Sequence, residues 1–284
     1  MFDECSTEDT CIWGRAFTSH ADQDTSFDAL GYAATSWTLQ AGAQQEIAPG
    51  WSLGGSMAYE NSAFRSDGGF AAVNGDTFLL GTTLRYQTGP WEISGALDAS
   101  YGRYDSQRYV QVGNFRAAAS ADPSLWQIGA HGRVAYQIPL GGWYLQPRVD
   151  LHLMQVSSAA YTETGAGPFD LSIEGHGYTV FVTEPTLEFG GEVALPNGAV
   201  LRPFISAGLE ISANNDWTTG ARFAGQPDGT DFETTVPVPD MLGRFNVGAS
   251  LVTSKNWDLT FRYSAEVGDG YLSQAGLGQM SYRF

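Results

Sequence analysis

Three groups of residues in this 284-residue chain carry side chains that could do chemistry. In "QPRVDLHLM", Arg148, Asp150 and His152 fall at every second position. On an extended strand that spacing sets an acid and a cation beside an imidazole on one face, the pairing that general acid–base catalysis uses. His131 and Arg133 repeat it in "GAHGRV". In "QPDGTDFE", Asp228, Asp231 and Glu233 bring together enough carboxylate oxygen for a calcium ion, but without the ordered spacing of an EF-hand loop, so a solvated acidic loop is the expectation. His20 and His176, in or near loops, have no partner at metal-ligand spacing. Cys5 and Cys11 stand 11 − 5 = 6 positions apart and are the only cysteines, too few for a zinc set. A small-loop disulfide in an oxidising compartment is the first reading, with two free thiols as the alternative.

Side chains grouped at every second residue need strands to position them. Tight turns rich in Gly, Pro or Asn recur as "APGW" at Trp51, "TGPW" at Trp91, "LGGW" at Trp143, "LPNGA" at Asn197 and "SKNW" at Trp257. Their separations, 91 − 51 = 40, 143 − 91 = 52, 197 − 143 = 54 and 257 − 197 = 60, each leave room for two strands and one longer loop. Between the turns, apolar and polar residues alternate with period two. In "WQIGAHGRVAYQI", Trp126, Ile128, Ala130, Val134, Tyr136 and Ile138 share one face, while Gln127, His131, Arg133 and Gln137 share the other. "WDLTFRYSAEV" divides likewise, with Asp258, Thr260, Arg262, Ser264 and Glu266 on its polar face. Twelve such segments begin roughly at Cys11, Trp37, Trp51, Thr77, Trp91, Leu125, Trp143, Tyr178, Val200, Met241, Trp257 and Tyr271. The first is irregular, because Arg15 falls between Trp13 and Phe17 on the face expected to be apolar. Pro147, Pro185 and Pro203 fall inside strands, where each removes a ladder donor and demands a bulge or a strand end, Pro185 most awkwardly.

Such alternation fits a soluble β-sandwich or barrel with the apolar face inward, or a membrane barrel with that face outward. Three features favour the second. The polar faces carry ionisable groups at mid-strand, four of the five short turns carry a tryptophan, as an aromatic girdle would, and twelve strands enclose an interior too wide for side chains alone to fill. Composition agrees, with only 16% charged residues against the roughly 25% of an ordinary soluble domain and a mean hydropathy of -0.18. The expected fold is all-β: a transmembrane antiparallel up-and-down β-barrel of twelve strands, with both termini on the side of the short turns. Met280, Tyr282 and Phe284 carry the alternation to the last residue, as expected of a closing strand, with Gln279, Ser281 and Arg283 turned to the interior. A net charge of -17, with Lys255 the only lysine beside scattered arginines, argues against nucleic acid as a partner. The start, "MFDECSTEDT", has neither the basic nor the apolar region of a signal peptide, which leaves a cytosolic protein or a piece of a longer precursor.

With its terminal "MSYRF", its opening "CIWGRAF", five short turns and this length, the chain resembles the C-terminal translocator domain of autotransporters, the self-secreting (type V secretion) proteins of Gram-negative bacteria, from about Cys11 to Phe284. The resemblance implies an outer-membrane barrel whose upstream linker helix threads the pore, anchoring an N-terminal passenger and helping it to the cell surface. It makes residues 1–10 the remnant of that linker and residues 11–284 the barrel. Met280, Tyr282 and Phe284 resemble the signal read by the barrel assembly machinery. The partners implied are outer-membrane lipid and lipopolysaccharide, the assembly machinery with periplasmic chaperones, and the chain's own passenger and linker. The domain is expected to act as a monomer, without cofactor or metal.

On this reading the lumen is lined by Arg85, His131, Arg133, Arg148, Asp150, His152, Glu184, Glu188, Glu192, Arg202, Arg244, Arg262 and Glu266, and Trp51, Trp91, Trp143 and Trp257 mark the membrane interface. The lumen charges could stiffen the wall by pairing across strands, or pack against a threaded helix and select solutes. No catalytic residue is assigned: a barrel phospholipase wants serine and histidine together on the lipid face, and an omptin-type protease wants acids and a histidine converging from loops. A free-standing channel for small solutes is the main alternative, and an outer-membrane enzyme a lesser one.

Overall fold

The computed structural model describes residues 10–26, 30–213, 217–226, 231–236, 239–253 and 256–284. Twelve long strands form the wall: β1 (Cys11–Gln23), β2 (Tyr32–Ala48), β3 (Trp51–Ser66), β4 (Ala71–Thr88), β5 (Trp91–Val112), β6 (Ser124–Tyr136), β7 (Trp143–Ser158), β8 (His176–Gly191), β9 (Val200–Ala213), β10 (Met241–Val252), β11 (Trp257–Gly268) and β12 (Tyr271–Arg283). Each pairs antiparallel with its neighbours in sequence, and β12 returns to β1 in an unbroken register from Arg283↔Cys11 to Tyr271↔Gln23. Closure leaves the wall with no open edge, the condition for a sheet to sit in lipid. Among the described residues no helix is long and apolar enough to cross a membrane.

The strands begin and end where local chemistry allows. Short turns need a residue with positive φ, supplied by Gly50 (φ 76°) before β3 and by Asn256 (φ 63°) before β11, the one described non-glycine residue in that region. The three awkward prolines lie in adjacent strands and each coincides with a ladder gap. β6 and β7 pair to Ala135↔Arg148 and resume only at Ile138↔Leu145, skipping Pro147. β8 and β9 skip from Thr183↔Ile211 to Thr186↔Gly208, so Pro185 faces no β9 donor while still opposing Val149 of β7. The same pair stops at Gly190↔Phe204 and resumes at Val193↔Leu201, which frees Pro203.

The outward face is apolar: Leu80, Ile128, Leu153, Ile205 and Phe261 are each exposed from the protein's side, as lipid contact requires. At the short-turn end, Trp51 stacks on Tyr86 (4.6 Å between ring centroids), Trp91 packs on Tyr136 (4.7 Å), Trp143 stacks on Phe189 (5.2 Å) and Trp257 packs on Tyr282 (4.9 Å). A second girdle, made of Trp37, Tyr59 and Phe78 together with Tyr101 and Trp126, crosses the wall nearer the long loops. From Trp91 to Tyr101 is 101 − 91 = 10 residues. At about 3.3 Å each and a tilt of about 40°, that separates the girdles by roughly 25 Å, the height of a hydrophobic band in an outer-membrane barrel.

One expectation is corrected. Trp13 and Phe17 face the lumen together with Cys11 and Arg15, and the outward side of β1 is Ile12, Gly14, Ala16 and Thr18. Trp13 is only 4% exposed and lies under the Arg15 guanidinium, 5.2 Å from the ring centroid. Arg15 is therefore not an intruder on an apolar face. The parity of the strand is the reverse of what its aromatics suggest, and His20, expected in or near a loop, lies within β1 close to its Gln23 end.

Candidate functional site

The alternation of each strand turns one set of polar residues inward, and these collect at two levels. Near the short turns the lumen holds a cavity of about 570 Å³ whose lining includes Arg15, Arg85, Arg133, Arg148, Arg202 and Arg262, with Glu92, Glu188 and Glu192 among them. The arginines are held by neighbours. Arg133 contacts both oxygens of Asp150 (2.6 and 3.3 Å), and Arg148 bridges Asp150 (3.3 Å) and Glu188 (3.2 Å). Glu188 also accepts the Tyr144 hydroxyl at 2.8 Å. Arg85 pairs with Glu92 at 3.1 Å, Arg202 with the exposed Glu192 at 2.8 Å, and Arg262 lies 5.4 Å over the Phe204 ring. At the mouth, Arg283 reaches Asp258 at 3.2 Å. This level is a belt of guanidinium groups, fixed in direction by acids that sit between or behind them.

Farther from the short turns the balance reverses. Asp98 of β5 bonds His131 Nε2, His131 Nδ1 meets His152 Nδ1 at 2.7 Å, and His152 Nε2 faces Glu184 of β8 at 3.4 Å. Glu184 continues the chain to Arg244, which also reaches Glu266 (2.9 Å) and Glu210 (3.6 Å). One guanidinium thus serves three acids from β8, β9 and β11. His152 and His131, which suggested acid–base chemistry, are spent on each other and on their acids, so this group is part of the wall.

The sequence-derived lumen residues fall into these two levels: Arg85, Arg133, Arg148, Asp150, Glu188, Glu192, Arg202 and Arg262 in the first, His131, His152, Glu184, Arg244 and Glu266 in the second. Asp98, Glu210 and Glu92 belong to the same networks and are not singled out in the sequence, and Arg15, expected on the apolar face, joins the lining of the first level. For Glu210 the signal existed, since it shares parity with Arg202 in "LRPFISAGLEI". Cys11 is held in a disulfide, while Cys5, the only other cysteine, lies outside the described residues. Asp228 lies outside them too, and Asp231 and Glu233 are exposed. Phe284 is 71% exposed on the outer face, its ring 5.3 Å from Tyr282, and its backbone N–H donates to the Thr10 carbonyl at 3.0 Å, which ties the chain end to the start of β1.

Above the wall the long loops build structure of their own. Strand Phe115–Ala121 folds back on β5, and four short strands, Tyr161–Thr162, Leu171–Ile173, Trp217–Phe223 and Phe232–Val236, pair as a separate sheet. The two are joined by a Ser120↔Thr164 bridge and by Arg108, which grips both oxygens of Glu163 and the Phe169 carbonyl (2.8 Å). Glu163 is buried and also accepts the Leu171 N–H at 2.9 Å. Burial pushes the nearby Tyr161 hydroxyl above its ordinary pKa, with Glu163 adding to the shift and Arg108 opposing it.

A comparison with curated protein sequences returns no relative. Among solved structures, the chain is similar to the translocator domain of the autotransporter NalP from Neisseria meningitidis (TM-score 0.77, 18% identity, 99% of this chain and 91% of that one). It is similar to the beta domain of the Bordetella autotransporter BrkA (TM-score 0.69, 19% identity, 97% and 100%) and to the transport unit of AIDA-I from Escherichia coli (TM-score 0.72, 13% identity, 100% and 93%). At these identities the likeness shows the fold. The family described as the autotransporter beta-domain matches residues 12–264, nearly the whole closed wall and the polar lumen within it, and the chain belongs to that family.

Proposed function

We propose that the chain is the outer-membrane anchor and passage of a self-secreting protein in a Gram-negative bacterium, and that it acts by structure and not by catalysis. The observation that carries this is the family match over residues 12–264 on a closed twelve-stranded wall with a charged lumen. A barrel of this size lies between one filled by its own side chains and an open porin, and leaves room for about one helix or one extended chain. The apolar outer face between two aromatic girdles suits bilayer and lipopolysaccharide. The paired charges inside keep the wall rigid and wet, so a chain of mixed composition can slide past without meeting an apolar trap. The terminal Met280, Tyr282 and Phe284 are proposed as the signal for the assembly machinery, which the chain would reach with periplasmic chaperones. The barrel acts as a monomer.

The test is display. A reporter passenger with a secretion signal, fused ahead of residue 1, is expected at the cell surface and open to added protease. In the same cells a membrane-impermeant maleimide is expected to label Asp122→Cys in a long loop and to miss Asn197→Cys in a short turn. A passenger left in the periplasm behind a correctly inserted barrel would refute passage, and labelling at Asn197→Cys alone would invert the barrel.

A further inference from the structure

We propose that the outer face just above the second girdle, at Arg103, Asp76 and Asp105, binds a phosphate of lipopolysaccharide through a shared divalent cation, with acyl chains lying in the apolar hollow beneath. Arg103 stands on the outward side of β5, two residues nearer the long loops than Tyr101, and is exposed. Its Nε donates to the Tyr101 hydroxyl at 3.1 Å, its Cζ is 5.6 Å from that ring's centroid, and Tyr101 packs in turn on Trp126 at 4.5 Å. The stack fixes the guanidinium at the upper edge of the girdle. With Nε occupied, the fork that remains is the pair of Nη groups, the geometry that grips a phosphate through two oxygens. Asp76 of β4 lies directly across the ladder from Arg103, where a wall built only for stability would pair them. Among the described residues the two form no ion pair. Asp76 Oδ1 instead accepts the Tyr59 hydroxyl at 2.6 Å and the Asn61 amide at 3.0 Å, both from β3. The acid is drawn toward β3 and the base toward Tyr101, so neither neutralises the other.

Asp105, the next outward residue of β5, lies across from Asn74 and is also exposed. One guanidinium between two carboxylates has no net attraction for an anion. A divalent cation reverses that, because it takes carboxylate and phosphate oxygens together. Among the described residues no group of three or more ligating side chains could hold a metal by itself, so the cation's other ligands come from the phosphate and from water. The girdle rings Tyr59, Phe78, Tyr101 and Trp126 lie one outward position below this ledge, two residues or about 7 Å along the strands. They belong to the lining of a lipid-facing hollow of about 980 Å³, whose floor is the small Gly14, Ala16, Ala41 and Gly278. A charged ledge above an apolar recess suits an amphiphile lying along the wall. Lipopolysaccharide fits better than a phospholipid, since its crowded phosphates are the ones held together by divalent cations. The inference rests on the proposed orientation, which sets the long loops and this ledge in the outer leaflet. Binding is read on refolded barrel, so the display assay can fail without touching it.

The test is titration of the full refolded chain in detergent with fluorescently labelled lipopolysaccharide and excess magnesium, with folding of each variant checked by heat-modifiable migration. Arg103→Gln should lower the affinity at least about tenfold, through loss of the charge-assisted fork. Arg103→Lys should recover only part of it, because a point charge replaces the fork. EDTA should weaken the unmodified chain and have little effect on Asp76→Asn with Asp105→Asn, which no longer holds the cation. Ala41→Phe, which fills the hollow with a ring that lipid tolerates, should weaken binding but leave its response to EDTA. Arg116→Gln, exposed on the loop strand Phe115–Ala121, should bind like the unmodified chain. Phosphatidylglycerol, and lipopolysaccharide stripped of its phosphates, should compete poorly. No binding by the unmodified chain, equal affinities for Arg103→Gln and Arg116→Gln, full affinity in Ala41→Phe, indifference to EDTA, or equal competition by phosphatidylglycerol would each overturn the proposal.

Discussion

Arg244 shows what a single residue does in this lumen. It is the shared partner of Glu184, Glu210 and Glu266, with its side chain 26% exposed, whereas Arg202 holds one exposed acid, Glu192, at the rim. Removing one partner of a buried ionic group leaves charge without compensation and costs about 3–5 kcal/mol, while an exposed pair contributes about 0–1 kcal/mol. Arg244→Ala should therefore unfold in urea well before Arg202→Ala, both measured on refolded barrel in the same detergent. Equal midpoints would mean that the three acids find other partners and that the network is not what holds β8 to β11 together. Phe284 is a different case under its proposed role as part of the assembly signal. Its deletion removes about 2–3 kcal/mol of lipid burial, too little to unfold a closed barrel. The expected loss is in assembly, read as less barrel in the outer membrane of cells with little change in refolding in detergent. Normal outer-membrane levels would make Phe284 ordinary wall.

At the scale of elements, the strands were legible because burial and period coincide: a residue such as Ile128 must face lipid and its neighbour Gln127 must not. The starts on the short-turn side, Trp51, Trp91, Trp143 and Trp257, agree with the structure because a tight turn and a girdle tryptophan mark the same place. On the long-loop side the strands run further than their apolar pattern, β2 from Tyr32 rather than Trp37 and β4 from Ala71 rather than Thr77, since above the membrane the ladder continues with no apolar face to signal it. β1 misled for a physical reason: Trp13 and Phe17 face inward and Trp13 packs under Arg15, so aromaticity no longer reports lipid. The sheet above the wall was not legible at all, because its strands are two to seven residues long and it is tied to β5 by Arg108 and Glu163, which lie 163 − 108 = 55 residues apart. Its integrity can be tested apart from the barrel. Arg108→Ala leaves buried Glu163 with only the Leu171 N–H, so the segment 159–175 should open and be cut by protease added to intact cells, while the wall keeps its heat-modifiable migration. Unchanged resistance would show that the Phe115, Phe169, Phe223 and Phe232 ring contacts suffice.

For the whole molecule, the account turns on one idea: parity along the strands separates a face for lipid from a face for a moving chain. Ser250 of β10 lines the cavity, and Phe261 on the adjacent β11 is 67% exposed on the outer face. A photo-activatable benzoyl-phenylalanine at each position, in cells whose passenger is stalled part-way by a folded reporter, reads which face the passenger follows. The account predicts that Ser250→benzoyl-phenylalanine cross-links to the stalled passenger and that Phe261→benzoyl-phenylalanine does not. Cross-linking at Phe261 as often as at Ser250, or at neither while passenger still reaches the surface, would contradict it.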